Sequence, residues 1–250
     1  MSTLSTCSIA GGVIADSLSQ WPNGASNSLA AVDNYTCVLH RQERIDGRMT
    51  AEELIQLKFR KPYMICMDWT GDRFKGRKAL YVKGANKGKM RAREGRGIKS
   101  WVGGLWLEPE GVMAMAGNRH PMHDAALTSM IELLTDELAK GLRNGDVTVK
   151  ELGEETVYGR KTIRVEEIFK KEKVINEKGR LDLERKFKKT KDRYYCRRTV
   201  MNIDLENHVP VMVRNYDENN DLIEMYGFEN LRLGAGLTDA DFSLKKNGLE

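Results

Sequence analysis

The stretch DNYTCVLHRQERIDG, residues 33–47, holds a thiol and an imidazole three residues apart, Cys37 and His40. These are the groups of a nucleophile–base pair, and either can also bind a metal. The surrounding pattern alternates as a strand does. On a strand, residues of unlike parity point to opposite faces, so the pair is predicted to be split. A hydrolase would need a Cys or Ser within reach of His40, His120, His123 or His208.

A second cluster is RHPMHD, residues 119–124. His120 and His123 have the donors for a metal, but they fall at a loop-to-helix junction where Asp124 suits a helix cap. No second His/Cys cluster accompanies them, so no metal site is expected. A third is GANKGK, residues 84–89. It has three residues between its glycines where a phosphate loop has four. Met90 stands where Ser or Thr would hold magnesium, so the segment reads as a hairpin turn. Asn34-Tyr35-Thr36 matches a glycosylation triplet, which is common by chance. No nucleophile elbow, zinc-protease motif or paired-acid motif is present. Neither a catalytic residue nor a cofactor is expected.

The elements that would carry these residues are mostly strands. IQLKFRKPYMICMDW, residues 55–69, keeps an apolar odd face of Ile55, Leu57, Phe59, Tyr63, Ile65, Met67 and Trp69. It reads as one long strand of an antiparallel sheet with unequal faces, bent or bulged at Pro62. Further strands are predicted in KALYVKG, WVGGLWLE, GVMAMAG, VTVKEL, KTIRVEEIF, YYCRRTVMNIDLE, VPVMVRNYD and LIEMYGFENLRL. A short helix is expected over Ser26–Tyr35, after the breaker PNG. A longer one is expected over Asp124–Arg143, where Leu127, Met130, Ile131, Leu134 and Leu138 form a core-facing stripe that ends at Asn144-Gly145. About ten strands with one long helix midway predict a mainly β (α+β) fold, a large curved antiparallel sheet with helices on one face.

The chain has 250 residues, 40% hydrophobic and 31% charged, with a net charge of +5. That length suffices to bury a core. No apolar run approaches the roughly 18 residues of a membrane-spanning helix. Cys7, Cys37, Cys66 and Cys196 form no C-x-x-C pair. Cys37 and Cys196, each after a tyrosine-containing strand entry, are one possible disulfide. Lys170–Arg198 holds thirteen Lys/Arg against five Asp/Glu. Its lysines, among them Lys186, Lys188, Lys189 and Lys191, form either a solvated hairpin or a contact to anionic membrane headgroups. No aromatic-interleaved motif accompanies the charge, so nucleic acid is not expected. Residues 1–25 lack the basic and apolar regions of an intact signal peptide. They read as a flexible or vector-derived segment, with LSTC, residues 4–7, only a weak lipoprotein box. One domain is expected over 26–248, and 249–250 reads as a cloning scar.

Several blocks together, YTCVLHRQERIDG, LKFRKPYMICMDW, ALYVKGANKGKM, NRHP, NIDLENHVPVMVRNYD and LIEMYGFENLRLGAGLTDADF, resemble the bacterial domain-of-unknown-function family 1571. The wider resemblance is to lipoprotein carriers of the LolA, LolB and LppX type. It implies an incomplete antiparallel β-barrel lidded by helices on its concave side, an apolar cavity, and a place in the periplasm or cell envelope with the export signal absent or removed here. The ligand implied is a lipid, an acyl chain or a lipoprotein. Cavity candidates are Phe59, Tyr63, Ile65, Met67, Trp69, Tyr81, Trp101, Leu105 and Leu107. The strand-borne methionines Met64, Met67, Met113, Met115, Met201, Met212 and Met225 suit either such a pocket or plain core gaps. The rival expectation is a structural or protein-interaction module with a filled core and no ligand.

Overall fold

A computed structural model describes residues 21–95, 104–175 and 193–250. Helix α1 (Trp21–Ala30) leads into β1 (Asn34–Ile45), the short β2 (Arg48–Met49), β3 (Glu53–Arg60), β4 (Met64–Trp69), β5 (Lys78–Val82), β6 (Met90–Arg93) and β7 (Leu105–Leu107). A one-turn helix α2 (Val112–Met115) and the long helix α3 (Leu127–Asn144) follow. Then come β8 (Val147–Val157), β9 (Arg160–Phe169), β10 (Arg198–Asp204), β11 (Pro210–Tyr216), β12 (Leu222–Leu233) and the terminal turn α4 (Leu244–Asn247).

The twelve strands form one antiparallel sheet in the order β7-β6-β5-β4-β3-β1-β12-β11-β10-β9-β8, with β2 paired to β1. β7 and β8 are its edges, so the sheet is not closed. Its curvature follows from α3. Ser129 near the start of that helix bonds Tyr63 at the entry to β4, and a side-chain atom built on Gly141 near its end would touch Val147 and Phe169. In a flat sheet β4 and β8 would stand about 34 Å apart, seven strand spacings. The helix between Ser129 and Gly141 spans only about 18 Å. The sheet therefore curls around the helix, and α3 lies in its concave side with Leu127, Met130, Ile131, Leu134 and Leu138 buried.

Alternation puts the same parity inside along β1: Tyr35, Cys37 and Leu39 are buried, and Val38 and His40 are less so. Cys37 and His40 thus point to opposite faces. A second apolar cluster, Cys66, Leu80, Phe242 and Leu249, lies where the C-terminal segment packs on β4 and β5. Leu249 is fully buried there.

Several local expectations are corrected. Residues 55–69 are two strands, because Pro62 has no N–H for the ladder and the chain turns at residues 61–63. The apolar parity survives the turn, since Ile55 pairs with Trp69, Leu57 with Met67 and Phe59 with Ile65. Helix α1 lies earlier than expected, with Pro22 in its first turn, where a missing N–H costs nothing. Asp124 belongs to a separate 3-10 turn, and α3 is entered from Ala126 without a side-chain cap. GVMAMAG is helix α2 with Val112 and Met113 exposed, not a strand, so Met113 and Met115 are not strand residues. The four-residue β6 has no counterpart among the strands expected from sequence. GANKGK is the turn between β5 and β6, and Gly145 ends α3 in the left-handed conformation with φ 64°.

Cys37 and Cys196 are both buried and are not joined to each other. Two strands separate β1 from β10, about 14 Å along the sheet. A disulfide needs Cα atoms within roughly 7 Å.

Candidate functional site

The inner positions of β1, β3, β9 and β12 do not stay apolar. Arg41 and Glu43 follow Leu39 in phase on β1, Glu53 precedes Ile55 on β3, Glu167 sits between Val165 and Phe169 on β9, and Glu224 precedes Tyr226 on β12. All five charged side chains are buried. Burying charge is costly unless each one is paired and hydrogen-bonded. Here the pairing is dense. Arg41 donates to Glu53 Oε2 at 2.7 Å and to Asn118 Oδ1 at 2.9 Å, and Trp69 Nε1 donates to the same Glu53 oxygen at 2.7 Å. Glu43 accepts from the Arg119 backbone N–H at 2.9 Å and from the Tyr226 hydroxyl at 2.5 Å. Glu224 lies 2.9 Å from His120 Nε2 and accepts from the Tyr195 hydroxyl at 2.9 Å and the Asn215 amide at 2.8 Å.

Two carboxyls in this region are shifted in opposite directions. Burial alone would raise Glu224, but the charge and hydrogen bond of His120, the Arg119 guanidinium and the Asn215 amide outweigh it and bring it to about 2. Burial pushes Glu167 up to about 7, and its one strong partner, Trp21 Nε1 at 3.1 Å, offsets only part of that. The difference comes from the neighbours. Glu224 faces cations, and Glu167 faces an indole with Glu137 nearby.

On either side of this polar partition the concave face is hollow. The first cavity, about 660 Å³, lies between α3 and β9–β12, with Met130, Leu134, Phe169, Ile175, Val213 and Tyr226 among its apolar walls. The second, about 490 Å³, lies toward the β7 edge against α2, with Met67, Trp69, Met90, Leu105, Leu107 and Met113 in its wall. Arg41 and His120 line both. Each is of the size that small-molecule sites have, largely apolar with a few placed polar groups.

Of the residues singled out from sequence, Met67, Trp69, Leu105 and Leu107 line the second cavity. Phe59, Tyr63, Ile65 and Tyr81 are packed elsewhere on the same face. Phe59 meets Tyr35 and Tyr63 in ring contacts, and the Tyr63 hydroxyl bonds the His123 carbonyl and Ser129. Tyr81 stands edge-on to Tyr63 and beside the His123 ring, with centroids 6.3 and 6.1 Å apart. Trp101, Lys186, Lys188, Lys189 and Lys191 lie outside the described residues, as does most of Lys170–Arg198. Of the described part of that segment, Lys170 and Lys173 pair with Asp146 at 2.9 and 2.6 Å. His40 is held between the Glu52 and Glu229 carboxylates, and His123 lies near Glu110 and Asp124. Among the described residues no group of three His, Cys, Asp or Glu is placed to hold a metal ion.

Sequence reasoning missed the first cavity and the partition. The available signal was the in-phase charge: Arg41, Glu43, Glu167 and Glu224 all occupy positions whose parity is otherwise apolar.

A family model described as a protein of unknown function, DUF1571, matches residues 32–248. No curated protein matches the chain by sequence. Among solved structures, MucB is 11% identical with a TM-score of 0.50, over 91% of this chain and 62% of MucB. The chain thus spans less than two thirds of MucB. A DUF1329 family protein from Desulfovibrio piger is 12% identical over 93% of this chain and 99% of its own, with a TM-score of 0.42. The lipoprotein LppX from Mycobacterium tuberculosis is 10% identical over 89% and 98%, with a TM-score of 0.49. At such identities the likeness is one of fold.

Proposed function

We propose that this chain, which belongs to the DUF1571 family, is a non-enzymatic binder or carrier of an amphiphile with an apolar chain, such as a lipid or acyl group, in the bacterial cell envelope. The observation that carries this reading is the pair of adjoining cavities of about 660 and 490 Å³ on the concave face. A filled-core module would close that space, since interiors otherwise pack as tightly as organic crystals. Apolar walls would bind the chain by burial, at about 25 cal/mol per Å² removed from water. The buried charges of the partition are already paired, Arg41 with Glu53 and Glu224 with Arg119 and His120, so the wall suits a polar or zwitterionic group better than a lone charge.

An envelope location and a non-enzymatic role are consistent with the resemblance to lipoprotein carriers. Among the described residues no helix is long and apolar enough to cross a membrane. Two solved structures are of MucB in complex with MucA, so a protein partner in place of a lipid is the second possibility. Native mass spectrometry of freshly isolated protein separates the two. Adducts of lipid mass that leave on organic extraction support the carrier. An unliganded mass, together with no saturable uptake of a hydrophobic fluorescent probe, refutes it.

A further inference from the structure

From Arg73 to Arg93 the chain carries nine Lys/Arg and no Asp or Glu. This run comprises β5, β6 and their turns, close to the β7 edge of the sheet. Part of its charge is answered by neighbours. Arg77 pairs with Glu94 at 3.0 Å, Lys78 with Asp68 at 3.0 Å, and Arg73 and Lys89 more loosely with Glu53 and Glu108 at 3.6 Å. Among the described residues Lys75, Lys83, Lys87 and Arg93 have no carboxylate partner.

Beside this cationic edge lie strongly exposed large apolar side chains, two of them the most exposed among the described residues. Val112 and Met113 on α2 are 89% and 67% exposed, and Leu105 on β7 is 47% exposed. The two features meet at one place: Arg77, Lys78 and Arg93 line the second cavity together with Leu105 and Met113. A soluble polyanion would answer the cations and leave Val112 and Met113 in water. A bilayer answers both, since headgroup phosphates attract the Lys/Arg and the boundary of the acyl region takes the apolar tips.

We propose that the β5–β6 hairpin and α2 form a docking surface for an anionic lipid bilayer, with the mouth of the second cavity turned to the lipid. The docking stands on its own residues, whatever the cavities hold. A lysine near an anionic surface contributes about a five-fold gain in binding, screened by salt.

The test is flotation of the whole chain with phosphatidylcholine vesicles, with and without phosphatidylglycerol. The native chain is expected to float only with the anionic vesicles, and less so as salt rises. Lys83→Glu with Lys87→Glu is expected to weaken that binding by about 25-fold or more. Val112→Ser with Met113→Ser, which removes the apolar tips without adding charge, is expected to weaken it about ten-fold. Circular dichroism checks the fold of each variant. Should a charge reversal alter the fold, Lys83→Gln with Lys87→Gln is expected to lose about 25-fold at low salt, about five-fold for each lysine neutralised. Absence of flotation, equal flotation with neutral vesicles, or unchanged binding of either pair of substitutions overturns the proposal. Binding to DNA or an acidic peptide without binding to vesicles also overturns it.

Discussion

His120 Nε2 lies 2.9 Å from Glu224 Oε2, at the wall that the two cavities share. This contact joins β12 to the segment leading into α3, so the electrostatics of the partition and the shape of the hollow space depend on each other.

Filling either cavity tests whether the space is used. Leu134→Trp intrudes on the first cavity and Ala92→Trp on the second. Each is expected to weaken saturable binding of a hydrophobic fluorescent probe by at least about ten-fold at its own cavity, because the probe's apolar burial is lost. If both substitutions together leave the binding curve unmoved, the cavities are not the binding site.

The two buried carboxyls predict a stability maximum on the acid side of neutrality. Glu224 has its folded pKa lowered to about 2, so it adds stability above its unfolded value near 4.5, and loses it as pH falls toward 2. Glu167 has its folded pKa raised to about 7, so its favourable contribution is complete below about 4.5 and is lost as pH rises through 7. Each effect is on the order of 3 kcal/mol. Glu167→Gln is therefore expected to stabilise the fold at pH 8 and to change little at pH 4. Glu224→Gln is expected to destabilise at pH 7, with the deficit shrinking at pH 3. Urea unfolding across this range reads both; a pH-independent difference for either variant contradicts its assignment.

The thiols are expected to be inert in the native state. Cys37, Cys66 and Cys196 are buried, burial raises Cys37, and it pushes Cys66 up to about 11 against the partial help of Lys58. Thiolate is the reactive form. Iodoacetamide should label these three only after denaturation, with the same peptide map whether or not a reductant is present. Reductant-dependent labelling of Cys37 and Cys196 would restore the disulfide.

Gly141 marks where α3 meets the sheet most closely. A Cβ there would stand 2.8 Å from Val147 Cβ and 3.0 Å from the Phe169 ring. Gly141→Ala is expected to cost about 1–3 kcal/mol through overpacking, more than offsetting alanine's higher helix propensity. Thermal denaturation measures it, and a stabilised variant would show that the helix has room to lift.

Much of the fold was legible because alternation survives local error. Residues 55–69 read in sequence as one strand and form two, yet the same odd residues face inward, because the hairpin at 61–63 preserves parity. Residues 111–117 look like a strand in sequence and form helix α2, because a short apolar run has no period of its own. Asp124 was a good capping residue with no helix immediately after it, since the chain makes a separate 3-10 turn first.

The amino-acid sequence by itself determined the antiparallel sheet, the apolar stripe of α3, the split of Cys37 from His40 and the family. All of these rest on periodicity, or on residues matched in order. Only the tertiary structure decided which inward residues are packed solid and which border empty space. Phe59 and Met67 lie on the same inner face, yet only Met67 faces a cavity, because the rings of Tyr35 and Tyr63 pack against Phe59 while Met67 borders the hollow toward the β7 edge. The tertiary structure likewise turned four charged residues scattered over three strands, Arg41, Glu43, Glu53 and Glu224, into a paired partition and left Glu167 with an indole partner, since the pairing of a buried charge depends on neighbours that sequence distance does not reveal.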